Sequence, residues 1–153
     1  MNIKKFHDYL SWYRSRHKKN GQKGAALAEF AIILPLLLLL VFGIIEFGLI
    51  LYNKQVITNA SREGARSGIV AKLTRMTVTQ IEDIVLNYAE DNLVNFGDKL
   101  VRDDITVPAA CAQFEDELTV DVAFDYNFLV LGALLPSRWE TIQLRATTVM
   151  ICE

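Results

Sequence analysis

Two carboxylates occupy a stretch of the chain where charge is expensive, and they are the residues whose chemistry most needs an explanation. Glu29 follows the small and apolar residues 24–28 and precedes Phe30, where an apolar run begins. Glu46 is the one charged residue between Phe30 and Tyr52. An ionised side chain at the centre of a bilayer costs about 2.5 kcal/mol or more. We therefore expect each carboxylate to have a charge or hydrogen-bond partner, or a function.

The spacing of Glu29 would suit a new chain terminus. If the chain were cut after Gly24, the ammonium of Ala25 would lie about 6 Å along a helix from Glu29. The carboxylate could then offset the terminal charge of a neighbouring subunit as helices pack side by side. For Glu46 two roles are open. It lies near an outer membrane interface and reaches headgroups, or it pairs with an adjacent subunit or an Arg62-type cation during assembly.

The residue types of the chain give little support for catalysis or for a metal site. The two histidines, His7 and His17, both precede Gly24, so a chain cut there would have none for Ser-His-Asp or Cys-His catalysis or for a histidine-bound zinc. We therefore expect no enzyme, no cofactor, no metal and no small-molecule substrate. An acidic group could offer oxygens to calcium, but it lacks EF-hand spacing and predicts a solvated face. Its members are Asp103, Asp104, Glu115, Asp116 and Glu117.

The two cysteines, Cys111 and Cys152, both follow the apolar run. If the N-terminus is cytoplasmic, both lie in a compartment where disulfides persist, which predicts a bridge between them. The alternative is two separate thiols, one of them a small apolar residue in the last strand.

The apolar run predicts a membrane span. Phe30 to Tyr52 is 23 residues, about 35 Å of helix, against a hydrocarbon core of about 30 Å. Pro35 falls inside it and predicts a kink that a membrane helix tolerates. Residues 1–24 carry seven Lys or Arg and one acid, whereas the rest carries nine Lys or Arg and 17 acids. This asymmetry predicts a cytoplasmic N-terminus, and the acidic body disfavours nucleic acid.

The elements around these residues indicate an α+β protein. A helix is expected from 25 to about 67, with a strip of small residues, Ala60, Gly64 and Gly68, that admits a close neighbour, and Gly68 as its C-cap. A second helix is expected over 78–96, opened by a capping box of Thr77 and Gln80. An antiparallel sheet of about three strands follows, near 105–107, 118–126 and 142–152.

A short apolar stretch, residues 128–135, separates the last two strands and ends at Pro136. It is too short to cross a membrane as a helix. Two interpretations stay open: a packed crossover loop or helical turn, and a patch that touches the bilayer surface or a partner.

The motifs from Gly24 onward resemble a known family. Gly24 followed by Glu29-Phe30 looks like a type IV prepilin processing site, and Ala25 at the first mature position looks like the Tad (tight adherence, Flp pilus) branch. The match continues through Phe42-Gly43-Ile44-Ile45-Glu46-Phe47-Gly48, Gln55-Val56, Asn59-Ala60 and Arg62-Glu63-Gly64-Ala65-Arg66. Over residues 24–66 the chain is similar to the TadE-like family.

The resemblance implies a minor pseudopilin that acts in assembly of a Flp pilus, in adhesion or in secretion. Gly24 and Ala25 would flank the bond cut by a prepilin peptidase, with Glu29 and Phe30 in the recognition segment. Other implied partners are Tad pilins and pseudopilins, the inner-membrane Tad platform and the lipid bilayer. The protein would be single-pass in the inner membrane, with the option of incorporation in the pilus.

The implied organisation has three parts: a basic cytoplasmic leader over 1–24, a transmembrane and extended helix over 25–68, and a periplasmic α+β domain over 69–153. The alternative is an uncleaved single-span scaffold of an envelope or secretion complex. An ordinary secreted protein is disfavoured, because no small-x-small cleavage site follows the apolar run.

Overall fold

A computed structural model describes the backbone of residues 3–70, 75–97, 99–130, 132 and 141–153, and the side chains of these ranges from residue 24 onward. The chain forms two compact units, Met1–Phe42 and Gly43–Glu153. Helix α1, Ile3–Ile69, is continuous and contributes to both. The basic arm, for which the sequence predicts no element, is thus helical from Ile3.

In the first unit, the described side chains are those of residues 24–42, and nearly all of them are exposed. The helix continues through Pro35. In the part of the chain that is described, one helical segment, Gly24–Ile69, is long and apolar enough to cross a membrane by length and composition. Its most apolar window is almost entirely unburied, unlike the core helix of a water-soluble domain.

The second unit combines the end of α1 with helix α2, Val78–Asn92, and a sheet. A 3-10 turn, Arg102–Asp104, leads into β1, Ile105–Thr106. The long strands are β2, Glu117–Asn127, and β3, Thr141–Ile151. All pairs are antiparallel in the order β1-β2-β3. The α+β architecture with a three-stranded antiparallel sheet is therefore confirmed.

The core of this unit lies between the sheet and the helices. Strand β2 alternates as predicted, because every second residue faces the core. The buried set of β2 is Leu118, Val120, Val122, Phe124 and Tyr126. It meets Ile81, Val85 and Ala89 of α2, and Ile57, Ala60 and Ala65 of α1.

Helix α2 begins as predicted and ends earlier. Its capping box is formed, with the Thr77 side chain accepting from the Gln80 amide and the Gln80 side chain accepting from Thr77. The expected end at Phe96 is wrong, because the helix stops at Asn92. The buried side chain of Asn53 on α1 replaces the next helical bonds: it donates to the Val94 carbonyl at 2.6 Å and accepts from the Val94 amide at 3.0 Å. Phe96 is accordingly exposed.

Gly68 is not the C-cap that the sequence predicts. The helix continues through it to Ile69, and Gly68 is buried without a positive φ. Its lack of a side chain instead lets Leu118 of β2 approach α1 closely.

Candidate functional site

The segment that resembles a processing site is accessible. Gly24 lies within α1 with nothing near its Cα that an added Cβ would meet within 4 Å. The side chains of Ala25 and Glu29 are exposed, and Phe30 is exposed too. Within the side chains that the structure describes, no hydrogen bond or ion pair engages the Glu29 carboxylate. The glycine, the carboxylate and the aromatic ring of this segment are therefore accessible to another protein.

Glu46 has a different setting, entirely within the second unit. Only 1% of its surface is exposed. Its Oε1 accepts from the hydroxyl of Tyr126 at 2.7 Å and from the Leu129 amide at 2.8 Å, and its Oε2 accepts from the Val130 amide at 3.1 Å. The carboxylate therefore joins α1 to the end of β2 and to the loop that follows it.

The Tyr126 hydroxyl in this cluster has a perturbed pKa. Burial raises the pKa of Tyr126, and the hydrogen bond to the Glu46 carboxylate raises it further. Both effects disfavour the phenolate form of Tyr126, which would place a second negative charge beside the Glu46 carboxylate. Tyr126 also packs edge-on against the Phe128 ring, with centroids 5.9 Å apart. The phenol is thus held as a neutral donor at the base of the loop.

This geometry corrects the expectations for Glu46. A carboxylate that is buried in its own chain does not reach lipid headgroups, and its oxygens already accept three intramolecular bonds. Arg62, the type of cation considered as its partner, is exposed elsewhere on α1. The sequence shows Tyr126 only as a core position of β2, so nothing in its spacing signals the contact with Glu46.

The strip of small residues packs the chain's own domain. Ala60, Gly64 and Gly68 are buried. A Cβ added at Gly64 would lie 2.5 Å from a methyl of Val85, and one added at Gly68 would lie 2.5 Å from a methyl of Leu118. Since contacts this short do not occur, the two glycines admit α2 and β2 against α1. In this chain the neighbour admitted by the strip is the α+β domain itself.

The two cysteines form a disulfide, with Cα atoms 5.9 Å apart. Cys152 follows β3, and backbone bonds hold it at the start of β2: its carbonyl accepts from Glu115 and its amide donates to Asp116. The bridge joins the loop before β2 to the end of β3. Both sulfur-bearing residues are buried in the core, so the bond also completes the apolar packing.

Two of the acidic residues, Asp104 and Asp116, stabilise local structure. The Asp116 carboxylate accepts from the amides of Ala112 and Gln113, and the Asp104 carboxylate accepts from the Val101 amide. In the described part of the chain, no three His, Cys, Asp or Glu residues are grouped to hold a metal ion. These acids therefore stabilise turns, which is where Asp is favoured.

Comparison with known proteins adds one match. No curated protein and no solved structure matches the chain. Residues 24–66 match the family model described as TadE-like protein. The match covers the segment that resembles a processing site, the apolar run and most of the small-residue strip. TadE-like proteins are pilus components, so the match supports a general association with the Tad pilus. Over residues 24–66 the chain is thus similar to TadE-like proteins.

Proposed function

We propose that this protein is a minor pseudopilin of a Tad pilus, cut after Gly24 by a prepilin peptidase and used in pilus assembly, adhesion or secretion. The observation that carries the proposal is the segment Gly24–Phe30, which lies within the family match and is exposed. A peptidase needs its substrate accessible, and a helical glycine weakens its own helix by about 1 kcal/mol relative to alanine. Both favour local opening at Gly24.

The proposed location is the inner membrane, with residues 1–24 as a cytoplasmic leader and 69–153 as a periplasmic domain. The basic arm supports this orientation, since Lys and Arg remain on the cytoplasmic side. The disulfide supports a periplasmic domain, since disulfides persist outside the cytoplasm. The exposed apolar surface of residues 25–52 would face lipid first and other pilin-type helices after extraction.

Glu29 would guide this assembly. After cleavage, the Ala25 ammonium and the Glu29 carboxylate would lie one helical turn apart on each subunit. A carboxylate of one subunit would then offset the terminal ammonium of the next, in surroundings where unpaired charge is costly. The partners are the prepilin peptidase, other Tad pilins and pseudopilins, and the inner-membrane platform; the protein acts as their substrate and building unit, without a reaction of its own.

The test is the mature N-terminus, read by mass spectrometry of the protein isolated from membranes that contain the peptidase. We expect Ala25. Gly24→Leu should leave the long form, whereas Gly43→Leu, outside the recognition segment, should be processed normally. At neither position would an added Cβ meet another atom within 4 Å, so the two variants are matched in their effect on packing. Met1 at the N-terminus of the native chain would refute the proposal.

A second candidate is an uncleaved single-span scaffold of an envelope or secretion complex. The observation that favours it is the unbroken course of α1 through Gly24. The same measurement separates the two. If Gly24→Leu and the native chain both keep Met1 and both sustain pilus production, the scaffold is the better description.

A further inference from the structure

We propose that the loop after β2, residues 128–130, rests in the headgroup–acyl boundary of the outer leaflet, and that Glu46 favours this position by accepting hydrogen bonds from two of the loop's amides. The ligand is the lipid surface itself. This inference rests on the membrane span in the proposed function and adds a second contact between the protein and the bilayer. The loop belongs to the same compact unit as Glu46.

Counting along the sequence places Glu46 at the depth of the outer leaflet. It lies 16 positions beyond Phe30, about 24 Å along a helix, whereas the hydrocarbon core is about 30 Å thick. The amides of Leu129 and Val130 are bonded to the Glu46 carboxylate, so the loop is at the level of that turn of α1. A domain placed wholly outside the bilayer would require the span to end before Glu46.

The surface around this turn is apolar and open. On α1, Phe47 is 62% exposed, and Ile44, Ile45, Leu51 and Tyr52 are exposed as well. In the loop, Leu129 is 46% exposed. Ile142, which pairs with Tyr126 across the sheet, is also exposed. These side chains extend the apolar surface of the span onto the domain, as expected for a contact that enters lipid.

The backbone of such a loop would normally forbid this position. Non-helical amides without partners cost several kcal/mol each in hydrocarbon, so irregular segments enter a membrane only where protein satisfies them. Here one carboxylate accepts from the Leu129 and Val130 amides and from the Tyr126 hydroxyl. The same bonds compensate the carboxylate for its own burial. The loop amides thus offset the cost of burying the Glu46 carboxylate, and the carboxylate offsets the cost of burying those amides.

The experiment uses tryptophan as a depth reporter in the full chain, reconstituted in vesicles of phosphatidylethanolamine and phosphatidylglycerol. The background is W12F/W139F, accepted only if its circular dichroism and melting match the native chain. Leu129→Trp reports on the loop. Phe114→Trp is the matched control, since Phe114 is 71% exposed in the turn before β2, at the opposite end of that strand from the loop. Leu37→Trp reports on the span.

Nitroxide-labelled lipids then quench each reporter. We expect a shallow label to quench Leu129→Trp several-fold more than Phe114→Trp, with a blue-shifted emission. Adding Glu46→Gln should reduce that difference at unchanged helix content. If a deep label quenches Leu37→Trp while Leu129→Trp behaves like Phe114→Trp, the span stands and the loop contact is refuted. If Leu37→Trp is not quenched, the span fails, and with it both this inference and the proposed function.

Discussion

Replacing Glu46 by glutamine tests whether the hydrogen bonds of the buried carboxylate stabilise the fold by more than the desolvation of its charge costs. The native carboxylate accepts from the Tyr126 hydroxyl and from two loop amides, at 2.7, 2.8 and 3.1 Å. Glutamine keeps the shape but has one acceptor oxygen, and its NH2 group would face an amide donor. A hydrogen bond to a charged group contributes about 1.5–3 kcal/mol.

The magnitude follows from these bonds. Glu46→Gln loses at least one of them, so the free energy of unfolding should fall by about 1.5–3 kcal/mol. Glu46→Ala loses all three and leaves buried neutral donors without partners, each at a cost of about 1–3 kcal/mol, so its loss should be larger than that of Glu46→Gln. The opposite sign is physically possible, because glutamine removes the desolvation of a buried charge. The sign of the change therefore measures whether the three bonds outweigh that desolvation.

The assay is urea unfolding of the full chain in detergent micelles, read by pulse proteolysis of the second unit, Gly43–Glu153. The matched control is Glu63→Gln on the same helix. Glu63 pairs with exposed Arg66 at 2.8 Å, and a solvent-exposed pair of this kind contributes little to stability. If Glu46→Gln is no more destabilising than Glu63→Gln, or if it stabilises the protein, the reasoning that makes Glu46 a structural acceptor is wrong.

Three further predictions use the same unfolding assay or a titration. Gly68→Val should destabilise the second unit by about 1–3 kcal/mol through overpacking, because its Cβ would meet two core side chains. Gly48→Val, whose Cβ would meet nothing within 4 Å, should change the stability little, and equal effects of the two variants would contradict the packing. Replacing both Cys111 and Cys152 by serine opens a cross-link between residues 41 apart and should lower the unfolding free energy by roughly 4 kcal/mol, while added reductant should not change the variant; a reductant effect equal to that on the native chain would contradict the assignment. The raised pKa of Tyr126 means that the folded chain keeps a proton that the unfolded chain releases, so this stabilisation is complete below the unfolded tyrosine pKa of about 10 and is lost as the pH rises above it. Absorbance of tyrosinate should show a late step in the native chain that is absent in urea, and Tyr126→Phe should remove that step; a native titration without it would refute the burial.

Local patterns predicted much of this fold for simple reasons. The two-residue alternation of β2 survives because a half-buried strand has period 2, whatever covers it. The Thr77 and Gln80 capping box is local too, since both partners lie in one helical turn. Where an element ends was harder. The end of α2 depends on Asn53, which is 41 positions from Val94 in the chain, and no window of the sequence contains both.

The sequence by itself determined the basic arm, the long apolar helix, the resemblance to the TadE-like family over residues 24–66, and the alternating strands. These follow from composition and short-range spacing, which act before the chain has a tertiary fold. Only the tertiary structure decided what faces the small-residue strip and what surrounds Glu46. Both answers depend on contacts between distant parts of the chain, as far as 84 positions apart for Glu46 and Val130. A buried carboxylate is acceptable only where donors converge on it, and folding, more than spacing, brings them there.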